Sequence, residues 1–194
     1  DGTNVVRTQS LPNGSKFSYG HDAGGRVTSV AQSTAEGESN QTTKKYNLNC
    51  VTHLTSGNNV VEYEYDHKRR VTKVTVNGTE TNYGYAGSAY DATESVTYAG
   101  TAADKVTVTR GTADPVEAVS YTDKRGNALA AEIDGETQYK NTYNADETLQ
   151  QSVDEITGSQ TTYTYTTDGT KKLLSVEVGA GTNVSVLKEE YTYN

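Results

Sequence analysis

Apolar and aromatic residues in this chain fall two apart almost everywhere, and the pattern is clearest across residues 63–85. Tyr63 and Tyr65 alternate, a short polar run from Asp66 to Arg70 follows, and Val74 and Val76 alternate again before Asn77-Gly78 and a third run ending at Tyr83 and Tyr85. Period-two placement of aromatic and β-branched residues puts them on one face of a strand. Asn-Gly between two such runs tolerates the positive φ values of a type I′ hairpin turn. The stretch therefore predicts strand, turn, strand, tight turn and next strand.

The same unit recurs along the chain. Residues 4–8 form a possible first strand, and Leu11-Pro12-Asn13-Gly14 is a turn signal. Laying Tyr19-Gly20-His21-Asp22 over Tyr63-Glu64-Tyr65-Asp66 brings Arg26 onto Arg70 without a gap. A shorter copy places Tyr46-Asn47 before Cys50-Val51-Thr52-His53-Leu54. The polar residues 32–43 ahead of it read as an exposed loop. Later copies run through Tyr121 with Asp134-Gly135 as a hairpin turn, through Tyr143-Asn144, and through Tyr163, Tyr165 and Gly169, with Gly179-Ala180-Gly181 as a closing turn. One more copy starts at residues 184–187. Residues 1–16 are thus a lead-in strand and turn, and residues 17–194 a repeat array. The array is degenerate across residues 83–118, where Pro115 breaks any continuous strand. No stretch has helical spacing or caps.

Composition changes this picture in one respect. Only 32% of the 194 residues are hydrophobic, with no Trp or Met, and Leu, Ile, Val and Phe make up roughly a sixth of the chain, a level that raises the question of disorder. Fifteen tyrosines, with about thirty threonines and about twenty valines, are instead what a pleated, half-buried surface selects. The expected result is a thin sheet held by cross-strand Tyr, Val and Thr contacts, with tyrosine hydroxyls left wet.

The net charge of −8 argues against nucleic acid or anionic membrane as partners, since either needs a basic patch. No apolar run approaches a membrane span. One cysteine, Cys50, excludes an intrachain disulfide. The chain begins at Asp1 and ends on Tyr191-Thr192-Tyr193-Asn194, which looks like the opening of another unit, so a piece of a longer protein is expected.

The pattern of tyrosine, any residue, tyrosine, aspartate, two residues, glycine, arginine and an aliphatic Thr/Ser-Val run resembles the YD repeat of the RHS family. Tyr63 to Val74 fits it except for Arg69 at the usual glycine, and Tyr19 to Val30 fits it except for His21 at the second tyrosine. Other copies carry Asn47 or Asn144 for the aspartate, and Cys50, Asn127 or Thr148 for the arginine. The resemblance implies a spiralling β-sheet shell of large secreted or surface-displayed proteins. In bacterial toxins such a shell encloses a toxic C-terminal domain, and in teneurins it belongs to an adhesive ectodomain. The family's self-cleaving core depends on aspartates in a proline-rich motif. Asp114-Pro115 is the one Asp-Pro step here, and its surroundings do not match, so protease activity is not carried over.

Other candidate chemistry yields to plainer readings. Asp22, Asp66, Asp123, Asp146, Glu147 and Asp168 lie beside turns, where carboxylates accept backbone N–H bonds, and they lack the ligand density of calcium loops. His21, His53 and His67 have no His-x-His or Cys partner pattern for zinc. Cys50 sits at a repeat position governed by strand packing, with nothing nearby to lower its pKa. The tyrosine rows fit cross-strand ladders, and the same rows suit glycan or protein contact. Arg26 and Arg70 can pair with Asp22 and Asp66 across their turns.

The sequence thus predicts an all-β array of about six to eight hairpin-like units in one long, twisted and curved antiparallel sheet. It predicts a non-enzymatic wall or scaffold of an extracellular bacterial protein, with no cofactor or metal. The repeat-defining residues are Tyr19, Asp22, Arg26, Tyr46, Tyr63, Tyr65, Asp66, Arg70, Asn77, Gly78, Tyr121, Asp134, Gly135, Tyr143, Tyr163, Tyr165 and Gly169. Expected partners are the flanking repeats and a C-terminal domain of its own polypeptide, a glycan or surface protein, and a second copy through open sheet edges.

Overall fold

The computed structural model describes residues 5–34, 39–180 and 185–193. These are all-β: seventeen strands, every described ladder antiparallel, and no helix among the described residues. The chain divides into two compact units, Asp1–Asn82 with Arg110–Ala113, and Tyr83–Thr109 with Asp114–Asn194.

In the first unit β1 (Thr8–Ser10), β2 (Lys16–His21), β3 (Val27–Ser33), β4 (Ser39–Asn47), β5 (Cys50–Ser56), β6 (Asn59–Tyr65), β7 (Val71–Val76) and the start of β8 (Thr79–Ala86) each pair with the next. The second unit holds β9 (Val96–Tyr98) paired with β10 (Thr101–Arg110). Its remaining strands form a consecutive meander of β11 (Val116–Asp123), β12 (Ala128–Ile133), β13 (Glu136–Tyr143), β14 (Leu149–Asp154), β15 (Ser159–Tyr165), β16 (Leu173–Ala180) and β17 (Ser185–Glu190). Sequential antiparallel pairing needs only short turns, and the turn residues supply them. Asn77 and Gly78 have φ of 49° and 85°, and Asp134 and Gly135 have 50° and 82°, the two successive positive values of a type I′ turn.

Three local readings of the sequence are corrected. Residues 32–33 and 39–43 are strand rather than loop: β3 runs through Ser33, β4 starts at Ser39, and these two residues are paired. Ser, Asn, Gln and Thr can line a strand whose side chains are all partly wet, so polarity alone did not mark a loop. Residues 35–38 of that stretch lie outside the described residues. The first strand lies at Thr8–Ser10, later than the predicted 4–8, because it is set by pairing Ser10 with Lys16 across the Pro12-Asn13-Gly14 turn. Gly179 and Ala180 belong to β16 and pair with β15 rather than forming a turn, and Gly181 and Val184 lie outside the described residues.

Burial is thin in most of the array. Among the described residues the buried apolar ones are Ala103, Val119, Leu129 and Ala130, all in the second unit and joined there by buried Asp104. The Tyr98 ring lies 4.7 Å from that of Tyr121, centroid to centroid. Burial raises the pKa of the Tyr98 hydroxyl, with Lys140 opposing the shift and Glu132 adding to it. Tyr98 therefore reaches over side chains of β11, β12 and β13. The least regular stretch contributes Tyr98, Ala103 and Asp104 to this buried set, and strands β11 and β12 contribute Val119, Leu129 and Ala130.

Candidate functional site

Two devices recur in the turns. Asp22 Oδ1 accepts the backbone N–H groups of Gly24 (2.9 Å) and Arg26 (3.0 Å), while Oδ2 accepts Arg26 Nε–H at 2.6 Å. Asp66 repeats the set with Lys68 N–H (2.8 Å), Arg70 N–H (2.9 Å) and Arg70 Nε–H (2.6 Å). Asp123 does so with Arg125 N–H, Asn127 N–H and the Asn127 side-chain amide, each at 2.9 Å. These donors favour the charged carboxylate. Asp22 is lowered first by the Arg26 side-chain bond, whereas for Asp66 and Asp123 desolvation is the largest influence and raises the pKa, but the bonds from residues 70 and 127 outweigh it. The residue just before positions 26, 70, 127 and 148 is left-handed, Gly25 (φ 80°), Arg69 (64°), Gly126 (89°) and Glu147 (74°), whereas in the shorter turn before Cys50 the left-handed residue is Leu48 (52°).

The hairpin turns carry the second device. Asn77 Oδ1 accepts Val60 N–H at 2.8 Å and Asp134 Oδ1 accepts Glu117 N–H at 2.7 Å, in both cases seventeen residues back. The backbone N–H groups of Asn77 and Asp134 donate to the carbonyls of the same two residues. Each turn thus ties itself to the strand before the one it follows. Gly169, at φ 83°, sits in a longer turn where Asp168 accepts Thr170 N–H and hydroxyl bonds.

The tyrosines join one repeat to the next. A β-bulge precedes the second aromatic position of every repeat turn: Gly20/His21, Lys45/Tyr46, Glu64/Tyr65, Tyr121/Thr122, Thr142/Tyr143 and Thr164/Tyr165. The residues facing these bulges include Val27, Val51, Ala128 and Leu173. Their carbonyls accept the hydroxyls of Tyr46 (2.7 Å), Tyr65 (2.7 Å), Tyr143 (3.0 Å) and Tyr193 (2.8 Å), respectively. A bulge breaks the ladder locally, and a carbonyl left without a partner is costly. The tyrosine of the following repeat supplies a partner, joined at Ala128 by the Asn141 side-chain amide at 3.0 Å. The Arg26 guanidinium also lies 4.8 Å over the Tyr46 ring, and the Lys172 ammonium 5.1 Å over Tyr193.

The first tyrosines of the pairs serve differently. Tyr19 hydroxyl donates to Gln9 Oε1 at 3.2 Å, Tyr63 packs against Tyr65 with centroids 6.4 Å apart, and Tyr163 pairs with Val176 in the ladder, while Tyr121, two residues before its turn aspartate rather than three, lies tilted against Tyr98. The inter-repeat bonds were not legible in the sequence, since their acceptors are backbone atoms. The recurrence of a hydroxyl-bearing ring directly before the turn was their signal.

No group of three or more His, Cys, Asp and Glu suited to a metal ion occurs among the described residues. His53 Nε2 lies 3.0 Å from Glu62 Oε1 across β5 and β6. Among the described residues, no helix is long and apolar enough to cross a membrane. One groove of about 400 Å³ opens on the first unit beside Cys50, Tyr63 and Tyr65.

Hairpins joined repeat to repeat through tyrosine hydroxyls and aspartate-clamped turns define an all-β repeat protein with an RHS-like fold, and solved structures bear this out. The chain is similar to the crystal structure of TcdB2-TccC3-Cdc42, with a TM-score of 0.62 and 14% identity over 94% of this chain and 10% of that one. It is similar also to the structure of the Photorhabdus luminescens Tc holotoxin pore with the TccC3-D651A mutation, with a TM-score of 0.61 and 14% identity over 95% of this chain and 10% of that one. The chain spans about a tenth of the length of those chains. No family model and no curated protein matches it.

Proposed function

We propose that this chain is a non-enzymatic structural segment, a stretch of wall in a large secreted or surface-displayed bacterial RHS/YD-repeat protein that encloses or displays another domain. The observation that carries the reading is the set of tyrosine-to-carbonyl bonds. The most repetitive side chains of the sequence, Tyr46, Tyr65, Tyr143 and Tyr193, spend their polar atoms on the backbone of the preceding repeat. Residues used that way build a sheet and leave little for a ligand. The likeness in fold to Tc toxin components supports the same reading. The repeat-defining aspartates, arginines, tyrosines and turn glycines are accordingly structural, and the partners are flanking parts of the same polypeptide. Exposed strand edges make self-association a further property, which light scattering over a range of concentrations checks.

The competing function is an adhesin-like module that binds glycan or protein through its tyrosine rows. A glycan array and a pull-down with the purified chain separate the two. The wall reading expects no specific capture. Specific binding lost on replacing Tyr63 and Tyr163 by Ser, with the circular dichroism spectrum intact, would sink it. Hydrolase activity abolished by a single substitution would overturn the non-enzymatic part.

A further inference from the structure

Besides seating hydroxyls on carbonyls, the tyrosines bring ring to ring. Tyr63 and Tyr65, with centroids 6.4 Å apart, are two positions apart on one strand, and Tyr85 and Tyr90, with centroids 5.2 Å apart and planes at 56°, are five positions apart. Tyr98 and Tyr121 differ from both. Their rings are closer, at 4.7 Å with planes 34° apart, and twenty-three positions separate them in the chain. At that centroid distance two rings are in van der Waals contact. Tyr98 ends β9, a three-residue strand laddered to β10, and Tyr121 lies within β11. Both are half-buried. The single cysteine gives the chain no intrachain disulfide with which to fix this segment.

We propose that Tyr98 and Tyr121 are a covalent modification site, a dityrosine link formed by a one-electron oxidant such as a haem peroxidase supplied with hydrogen peroxide, which staples β9 to β11. Each phenol gives up one electron and its hydroxyl proton, and the unpaired spin of the resulting phenoxyl radical is shared with the ring carbons next to the C–O carbon. One such carbon of Tyr98 bonds to one of Tyr121. The hydrogen on each of these carbons then moves to its own ring's oxygen, which restores both phenols. The two electrons and two protons released reduce one hydrogen peroxide to two waters.

Contact selects this pair, because radicals already held together couple without a diffusional encounter. The surroundings of Tyr121 assist. Its hydroxyl donates to Glu132 Oε2 at 3.4 Å, so a carboxylate stands beside the proton that must leave. The Lys105 ammonium, 5.8 Å over the ring centroid, resists the loss of an electron. Release of the proton towards Glu132 leaves a neutral radical and so removes the positive charge that Lys105 opposes. A link between residues 98 and 121 restricts the unfolded chain as a disulfide of that span does, and thereby stabilises the folded one. The link uses rings and not the hydroxyl-to-carbonyl bonds that carry the wall reading, so the two stand or fall separately.

The test treats the whole chain, dilute enough to remain monomeric, with haem peroxidase and hydrogen peroxide, alongside N-acetyl-tyrosine amide to show that the oxidant is active. The monomer is then isolated, digested and mapped by mass spectrometry. The expected product is a monomer lighter by two hydrogen atoms, fluorescent as dityrosine, whose dominant cross-linked peptide joins Tyr98 to Tyr121 and whose urea midpoint exceeds that of the untreated chain. Tyr98→Phe, which keeps the ring and leaves the circular dichroism spectrum intact, abolishes this product, and Tyr63→Phe does not change it. Oxidation of the chain unfolded in urea scatters the links among other tyrosines. No intrachain link where the free amide couples, a dominant link between other tyrosines of the folded chain, a product that survives Tyr98→Phe, or a midpoint that does not rise overturns the proposal.

Discussion

The Tyr46 hydroxyl donates at 2.7 Å to the carbonyl of Val27, nineteen residues earlier and in the preceding repeat. Val27 is the residue opposite the bulge at His21, so the bond repairs a break that the repeat itself creates. Repetition turns this into a chain of dependencies, each repeat finishing the hydrogen bonding of the one before. A sheet with little buried apolar surface gains cohesion in this way.

Tyr46→Phe keeps the ring over which Arg26 lies and removes only the hydroxyl. The expected loss is about 0.5–1.5 kcal/mol, the usual net worth of one such hydrogen bond, measured as a lower urea midpoint. Tyr143→Phe, which acts on Ala128 in the other unit, is expected to lose less, since the Asn141 side-chain amide still donates to the same carbonyl. The double variant is then additive, since the two sites share no partner. A Phe variant as stable as the parent would remove the hydroxyl from the account.

Arg69 occupies a left-handed position, φ 64°, where Gly25 and Gly126 stand in other repeats. A side chain there costs about 1 kcal/mol relative to glycine. Arg69→Gly is therefore expected to raise stability by about that amount, and Gly126→Ala, whose added Cβ meets nothing within 4 Å, to lower it similarly through strain alone. Denaturant midpoints of the two variants check both signs.

Turn chemistry and strand alternation were legible in the sequence because both are local. Asn77-Gly78 and Asp134-Gly135 announce positive φ by residue type, and Asp22 to Arg26 announces a clamp by spacing. Residues 40–43 of β4 were misread because a strand whose side chains are all exposed or half-buried carries no alternation to detect. The acceptors of Tyr46 and Tyr143 escaped notice for a different reason: every residue has a carbonyl, so the sequence does not say which one is left open. The pairing of Tyr98 with Tyr121 was hidden as well, since it depends on where an irregular segment returns.

The pH dependence follows from the turn aspartates and the seated tyrosines. Asp22, Asp66, Asp123, Asp146 and Asp168 all have pKa values lowered in the folded chain. A depressed carboxylate contributes stability that is present above its unfolded value, near 4, and is lost as pH falls through the folded one. Tyr65, Tyr98, Tyr121, Tyr143 and Tyr165 are raised, chiefly by burial. Their contribution is complete below about pH 10 and is lost as pH rises through the folded values. Urea midpoints against pH should therefore form a plateau with an acid limb below about pH 4 and an alkaline limb above about pH 10. Asp66→Asn should flatten the acid limb while leaving the alkaline one unchanged.

Leu129 sits 7% exposed beside fully buried Ala130, in the small core that the irregular segment of the second unit helps to build, whereas Leu187 on β17 is 53% exposed. Truncating a buried leucine removes transfer free energy and leaves a cavity, about 2–5 kcal/mol in well-packed sites. The same change at an exposed position costs within about 0.5 kcal/mol. Leu129→Ala is accordingly expected to lower the urea midpoint strongly and Leu187→Ala hardly at all. The comparison decides whether stability is concentrated in that small core or spread evenly along the repeat. Equal, small effects would mean that strand-to-strand contacts and tyrosine bonds carry the sheet unaided. A large effect confined to Leu129 would make the small buried set around β11 and β12 an anchor for the other strands of its unit.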